Sequence, residues 1–230
     1  MLRVLDLYCG GGGAGMGYKL AGYSVTGVDH CKHPNYCAGD FICADALDYV
    51  IEHGKRYDII HASPPCQGYS SHVTSRDSQY SRTRGKNEPR LIETTRAALK
   101  ATGKPYVIEN VMGARRAIYG NLLLCGTMFG LPITRHRLFE CSLLLPQPHH
   151  DSCRGTGRAF AKRRGWDARD MTVTGKGRRS GTTQRWKEIM GINWTVTQAE
   201  LTEAIPPAYT NYIGTQLLAQ LAQHIRKVKP

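Results

Sequence analysis

Apolar positions in the first 142 residues fall into short continuous runs separated by stretches with helical spacing. VLDLY leads into a glycine-rich turn, and YSVTGVD follows. FICA precedes ADALDYVIEH, where the apolar residues recur at helical spacing, and YDIIHAS is again a short run. ETTRAALKA then reads as helix, and PYVIEN, NLLLC and HRLFEC read as strands. Continuous apolar runs suit strands buried on both faces, and their alternation with helices predicts a doubly wound, mostly parallel α/β sheet. In such a sheet the ligands sit beyond the C-terminal ends of the strands.

Residues 143–190 break this rhythm with PQPHHDSCRGTGRAFAKRRGW and GKGRRSGTTQRWK, and we read them as a basic insertion outside the core. Residues 191–230 close the chain. There Tyr209, Tyr212, Ile213, Leu217, Leu221 and Ile225 recur at helical spacing behind Pro206 and Pro207, which predicts a helix packed back on the sheet. The expected organisation is a catalytic and cofactor-binding unit over 1–142, a recognition segment over 143–190 and a returning C-terminal segment over 191–230.

Charge changes the picture most in the middle segment. The 230 residues carry 31 Lys and Arg against 18 Asp and Glu, a net charge of +13. Residues 151–190 alone hold eleven Lys or Arg against four Asp or Glu. So concentrated a charge suits a polyanion whose phosphates it can neutralise, and Arg163, Arg164, Arg178 and Arg179 are the candidate contacts. Hydrophobic residues at 41% and charged residues at 21% describe a folded chain. No run reaches the roughly 18 apolar residues of a membrane span. The chain opens directly on a strand, so we expect a cytoplasmic protein with reduced cysteines, acting as a monomer.

Candidate chemistry lies at the predicted strand ends. Tyr8, Gly10 and Gly12 form a tight turn after the first strand, through which a nucleotide-like cofactor can approach the backbone. Asp29 ends the second strand, where a carboxylate can accept from ribose hydroxyls. Asp45 follows the third and also fits a helix N-cap. There is no Walker A pattern, which disfavours a phosphate-gripping ATPase. Pro64 and Pro65 hold Cys66 at the sheet's active edge, where its thiolate could attack an electrophile if nearby cations stabilise it. Glu109 ends the neighbouring strand as a candidate proton donor or acceptor. Arg135 and Arg137, two apart, would share one face of a strand.

DLYCGGGG, PPCQGYS, ENV and RHRLFE, in this order, resemble the motifs of the C5-cytosine DNA methyltransferase family over roughly residues 1–142 and again in the C-terminal helix. The resemblance implies a Rossmann-like, S-adenosylmethionine-dependent fold. Tyr8, Gly10, Gly12, Asp29, Asp45 and Pro65 would then hold the cofactor. Cys66 would attack C6 of a flipped-out cytosine, Glu109 would protonate N3, Arg137 would contact O2 and Arg135 would support the site. Gln67, Ser70, Arg82 and Arg84, with the four arginines of the basic segment, would meet double-stranded DNA. The chain departs from the family's usual Glu at Asp29, its usual Gln at Ile133 and its usual Asn-containing turn at 202–206. Glu203, in that last stretch, disfavours a carboxylated cofactor.

Three other readings compete: an RNA cytosine-5 methyltransferase of similar fold, an idle DNA-binding module and a Rossmann-type dehydrogenase. The first shares every motif, while the intact Cys66, Glu109, Arg135 and Arg137 disfavour the second. A dehydrogenase would have no use for the PPCQ and ENV pair. No metal is expected. Cys31, Cys37, Cys43, His30 and His33 fit no C-x2-C framework, and His149, His150 and Cys153 read as connecting loop.

Overall fold

The computed structural model describes residues 1–69, 90–150, 162, 165–166, 173 and 182–228, with side chains through 222. Arg82, Arg84, Ser70, Arg163, Arg164, Arg178 and Arg179 lie outside these residues, as does the side chain of Ile225.

Seven strands form one sheet in the order β3-β2-β1-β4-β5-β7-β6. They are β1 (Arg3–Leu7), β2 (Ser24–Asp29), β3 (Asp40–Cys43), β4 (Ile59–Ala62), β5 (Tyr106–Val111), β6 (Leu122–Leu124) and β7 (Arg137–Cys141). β1 to β5 pair in parallel, and β7 runs antiparallel between β5 and β6. Every apolar run predicted as strand is therefore strand. The strand order reverses between β1 and β4, the point where an α/β sheet opens a crevice for ligands.

Helices cover both faces. On one lie α2 (Ala46–His53) and α3 (Ile92–Ala101), over Leu5, Leu7, Ile60 and Ile108. On the other, α1 (Gly13–Leu20) and α6 (Pro207–Val228) lie over Val4, Val25, Val107 and Phe139. Pro207 opens α6, where its missing N–H costs nothing and its fixed φ suits the first turn. Tyr209, Ile213 and Leu217 are at most 2% exposed and form the buried stripe. Each contributes on the order of 1.5–3 kcal/mol by leaving water. The crossing of α1 and α6 requires glycine at Gly17, because a Cβ there would strike the Pro207 carbonyl and the Thr210 hydroxyl.

A third cluster corrects the expectation that residues 143–190 stay out of the core. Val173, Trp186, Ile189 and Met190 are buried with Ile133, Ile192 and Leu201. Trp186, Ile189 and Met190 sit three and four apart on α4 (Thr183–Met190), so the signal was present but masked by surrounding charge. The cluster seats α5 (Gln198–Glu203) over the mouth of the crevice.

Candidate active site

A cavity of about 410 Å³ opens beyond the ends of β1, β2, β4 and β5, within the range of small-molecule pockets. One end is a backbone cradle. Tyr8 (φ 57°) and Gly10 (φ 47°) both adopt left-handed backbone, and nothing lies within 4 Å of where a Gly10 Cβ would stand. Gly10 donates its N–H to Asp29 at 3.0 Å, and Cys31 donates to the other oxygen of the same carboxylate at 3.0 Å. Asp29 thus joins the turn to the end of β2 and presents its edge to the cavity.

Two cofactor candidates stand elsewhere. Gly12 faces Tyr36, whose ring would lie 3.2 Å from a Cβ, and it does not line the cavity. Asp45 caps α2 by accepting from the N–H groups of Leu47 and Asp48, and it too lies off the cavity wall. The Tyr8 side chain lines the cavity, with its hydroxyl held 3.1 Å from that of Thr95.

The opposite end gathers Pro65, Cys66, Gln67, Glu109 and Arg137. Asn110 latches the Cys66 loop by donating its Nδ2 to the Pro64 carbonyl at 2.9 Å, while its Oδ1 accepts from Val111 N–H. The loop closes when Tyr69 N–H donates to the Cys66 carbonyl at 3.0 Å. Arg137 Nε stands 3.0 Å from Glu109 Oε1. Glu109 is 7% exposed, and burial raises its carboxyl above the usual carboxylate range despite the opposing effects of Arg137, Arg135 and a hydrogen bond with Ser63. It is therefore disposed to hold a proton.

The sequence makes attack by Cys66 conditional on cations that stabilise its thiolate, and Arg137 and Arg135 do act in that direction. Burial pushes the Cys66 thiol up, and the charge of Glu109 adds to this, against the weaker pull of Arg137 and Arg135. The thiol is the resting form. Sequence spacing could bring cations near, but it could not weigh them against desolvation and a neighbouring carboxylate.

Arg135 and Arg137 also differ from the reading that paired them on a strand face. Only Arg137 belongs to β7. Arg135 precedes it, buried, and donates to the carbonyls of Val173 at 3.2 Å and Thr202 at 2.6 Å. Its own carbonyl accepts from the Tyr209 hydroxyl at 2.6 Å. Arg135 therefore ties the chain before β7 to the returning C-terminal segment.

That segment brings to the cavity the stretch that the sequence aligned with the family's final turn, and with it Glu200 and Trp194, which the sequence reading missed. Thr202, Glu203, Ala204 and Ile205 line the cavity. Glu200 accepts from or donates to His33 Nδ1 at 2.7 Å, depending on protonation, and Trp194 Nε1 donates to the Gly11 carbonyl at 2.8 Å. The local signal was the capping box Thr197-x-x-Glu200, which starts α5. Its position over Gly11 was a tertiary fact. Beneath the site, His61 bridges the Tyr18 hydroxyl at 3.1 Å and Ser63 Oγ at 3.0 Å, and burial keeps it neutral, down to about 3.

Sheet and site together define a class: an α/β fold whose nucleotide-type cradle and polar cluster share one crevice at the topological switch point. Comparison with known proteins narrows it to the Rossmann-like methyltransferase fold. At 15% identity, the chain superposes on a protein of an E. coli prophage assigned as a DNA modification methyltransferase, over 96% of this chain and 100% of that one, with a TM-score of 0.60. The Entamoeba histolytica methyltransferase EhMeth gives 15% identity, 96% and 99% coverage and a TM-score of 0.60. S. pombe Dnmt2 methyltransferase gives 15%, 96% and 99%, with a TM-score of 0.56. In sequence, the chain is 29% identical over 91 residues to the type II methyltransferase M.AgeI of Thalassovita gelatinovora, a match covering 33% of this chain and 21% of that protein. The match thus spans about a fifth of that relative's length. No family model matches the chain. The chain thus shares the fold of these methyltransferases. No helix among the described residues is long and apolar enough to cross a membrane.

Proposed function

We propose that this chain is an enzyme that transfers a methyl group from S-adenosylmethionine to carbon 5 of cytosine, with double-stranded DNA as the polymer. The observation that carries this reading is the convergence of Cys66, Glu109 and Arg137 on one cavity with the Gly10–Asp29 cradle. The cradle fits the cofactor, since the Gly10 backbone leaves open space for close approach and the Asp29 carboxylate can accept from ribose. Gly10, Tyr8 and Asp29 would hold it, with Pro65 on the wall. Bound there, the cofactor would supply an electrophilic methyl group.

The protein's part is to make an unreactive carbon nucleophilic. Cys66 gives up its thiol proton to solvent and its sulfur adds to C6, while the electron pair displaced from the C5–C6 bond is accommodated as Glu109 delivers its proton to N3. A carboxyl held above its usual range is suited to that donation, which counts in the transition state rather than in ground-state binding. Arg137, paired with Glu109 and lining the cavity, would meet the base's O2. Loss of the C5 proton to a base and departure of the sulfur then restore the ring and the thiol. Arg135 acts as a positioning residue through Thr202 and Tyr209.

The test is covalent trapping. Duplex DNA containing 5-fluorocytosine and the methyl donor should give a denaturation-resistant adduct mapping to Cys66, because fluorine blocks the final elimination. Cys66→Ser should form none while keeping cofactor affinity. A Cys66→Ser enzyme with near-normal turnover would overturn the mechanism. Trapping on RNA and not on DNA would instead favour the RNA reading. For the polymer interface, replacing Arg163, Arg164, Arg178 and Arg179 with Ala should flatten the slope of log affinity against log salt by about 0.9 for each phosphate no longer neutralised. An unchanged slope would move the search to Arg76, Arg82, Arg84 and Lys86.

A further inference from the structure

The turn between β6 and β7, and the chain that leaves β7, bring together three residues that the candidate active site does not use. The antiparallel register pairs Leu124 with Arg137, so one step further along the two strands sets Cys125 beside His136. The chain then returns along the free edge of β6. Gln147 donates its Nε2 to the Leu123 carbonyl at 2.7 Å, and its Oε1 accepts from Leu123 N–H at 2.9 Å. One side chain thereby makes the two hydrogen bonds that a further strand would make. This clamp delivers His150, whose ring centre lies 5.2 Å from that of His136. One ligand atom from each of Cys125, His136 and His150 lies within 4.8 Å of the other two.

We propose that Cys125, His136 and His150 form a zinc site that staples the root of the basic segment to the catalytic sheet. One thiolate and two imidazoles are a donor set that Zn²⁺ takes readily, and tetrahedral coordination asks for ligand atoms about 3.5 Å apart. Binding would draw the three atoms, already within 4.8 Å of one another, in to that spacing. The sulfur already accepts from the Thr127 hydroxyl at 3.4 Å and from the Thr127 backbone. Donors aimed at a ligand sulfur are the usual outer-shell support of a metal thiolate. Cys125 has no exposed surface, so its sulfur is not placed to attack a substrate in solution. Both histidines are half-buried, so the site is reachable from solvent.

The location gives the site its consequence. His136 directly precedes Arg137, the partner of Glu109, and His150 stands just ahead of the arginine-rich stretch that begins at Arg154. A metal here would fix the start of β7 and the departure of the segment at once. Sequence spacing hides this, because Cys125 and His150 stand 25 positions apart.

The test uses full-length protein purified without a histidine tag from zinc-supplemented cells. We expect about one equivalent of zinc per chain, released by chelator. Cobalt(II) replacing it should give an intense near-ultraviolet thiolate-to-cobalt band. Cys125→Ala should remove the band, and His150→Ala, at a half-buried position with its fold checked by circular dichroism, should weaken zinc binding at least about tenfold. Zinc below about a tenth of an equivalent would overturn the proposal, as would a cobalt band that survives Cys125→Ala. If Cys125→Ala fails to fold, undiminished zinc affinity in His150→Ala overturns it alone. Methyl transfer is not the readout, so this result and that of the trapping experiment stand apart.

Discussion

Two buried arginine–glutamate pairs place their carboxylates on neighbouring strands of this sheet, and their surroundings shift the two carboxyls in opposite directions. Arg96 grips Glu140 with two hydrogen bonds, Nε to Oε1 at 2.7 Å and Nη2 to Oε2 at 2.8 Å. Tyr119 N–H and the Tyr106 hydroxyl also donate to Glu140, and the Arg96 guanidinium lies 4.3 Å from the centre of the Tyr119 ring. Burial alone would raise the Glu140 carboxyl, but these donors outweigh it and hold the group below its usual range. Glu109 has one arginine at 3.0 Å, less support and the opposite shift. The register explains how two such environments coexist. Glu140 pairs with Ile108 and Glu109 with Phe139, so the two carboxylates point to opposite faces, one beneath α3 and the other into the crevice. A fully satisfied ion pair holds structure together, whereas an under-satisfied one keeps a proton available.

The largest expected effect separates the pairs by rate. Glu109→Gln should slow single-turnover methyl transfer by roughly 10² to 10⁴, the usual range for a positioned acid, while urea unfolding changes little. A wild-type rate would remove Glu109 from the chemistry. Glu140→Gln should do the reverse, costing about 3–5 kcal/mol because it strands a buried guanidinium. A loss under about 1 kcal/mol by urea denaturation would mean that Arg96 finds other partners.

The comparison sharpens with pH. Because the folded Glu140 carboxyl lies below its unfolded value of about 4.3, its contribution is complete above that value and is lost as pH falls through the folded one. The stability gap between wild type and Glu140→Gln should therefore narrow on acidification below about pH 4, in urea titrations at stepped pH. A gap independent of pH would show that the pair's charge is not what stabilises.

The smallest effect concerns Cys66. Its alkylation by iodoacetamide, read by peptide mass spectrometry, should have a pH midpoint above the roughly 8.5 of free cysteine, since burial and Glu109 both disfavour the thiolate. Glu109→Gln should move that midpoint down. A midpoint in wild type below that of free cysteine would mean that Arg137 and Arg135 prevail. The expected direction has a physical consequence: Cys66 rests as a thiol, and a Glu109 that keeps its proton opposes the thiolate less than an ionised one.

Sequence alone determined the strands, their helices and the motif residues at the strand ends, because buried parallel strands must be apolar runs and tight turns must be glycine-rich. Cys66, Glu109 and Arg137 were legible for that reason. Only the tertiary structure decided what surrounds them. It set Gly12 against Tyr36 and Asp45 at a helix cap, made Arg135 a strut to Thr202, and lowered α5 over Gly11. Arg135 and Thr202 stand 67 positions apart in the chain, and Gly11 and Trp194 stand 183 apart, so no local pattern joins them. Desolvation has no local code either, since it depends on everything that packs around a group. A residue's type states which protons and charges it can hold, but burial and neighbours decide which of them it keeps.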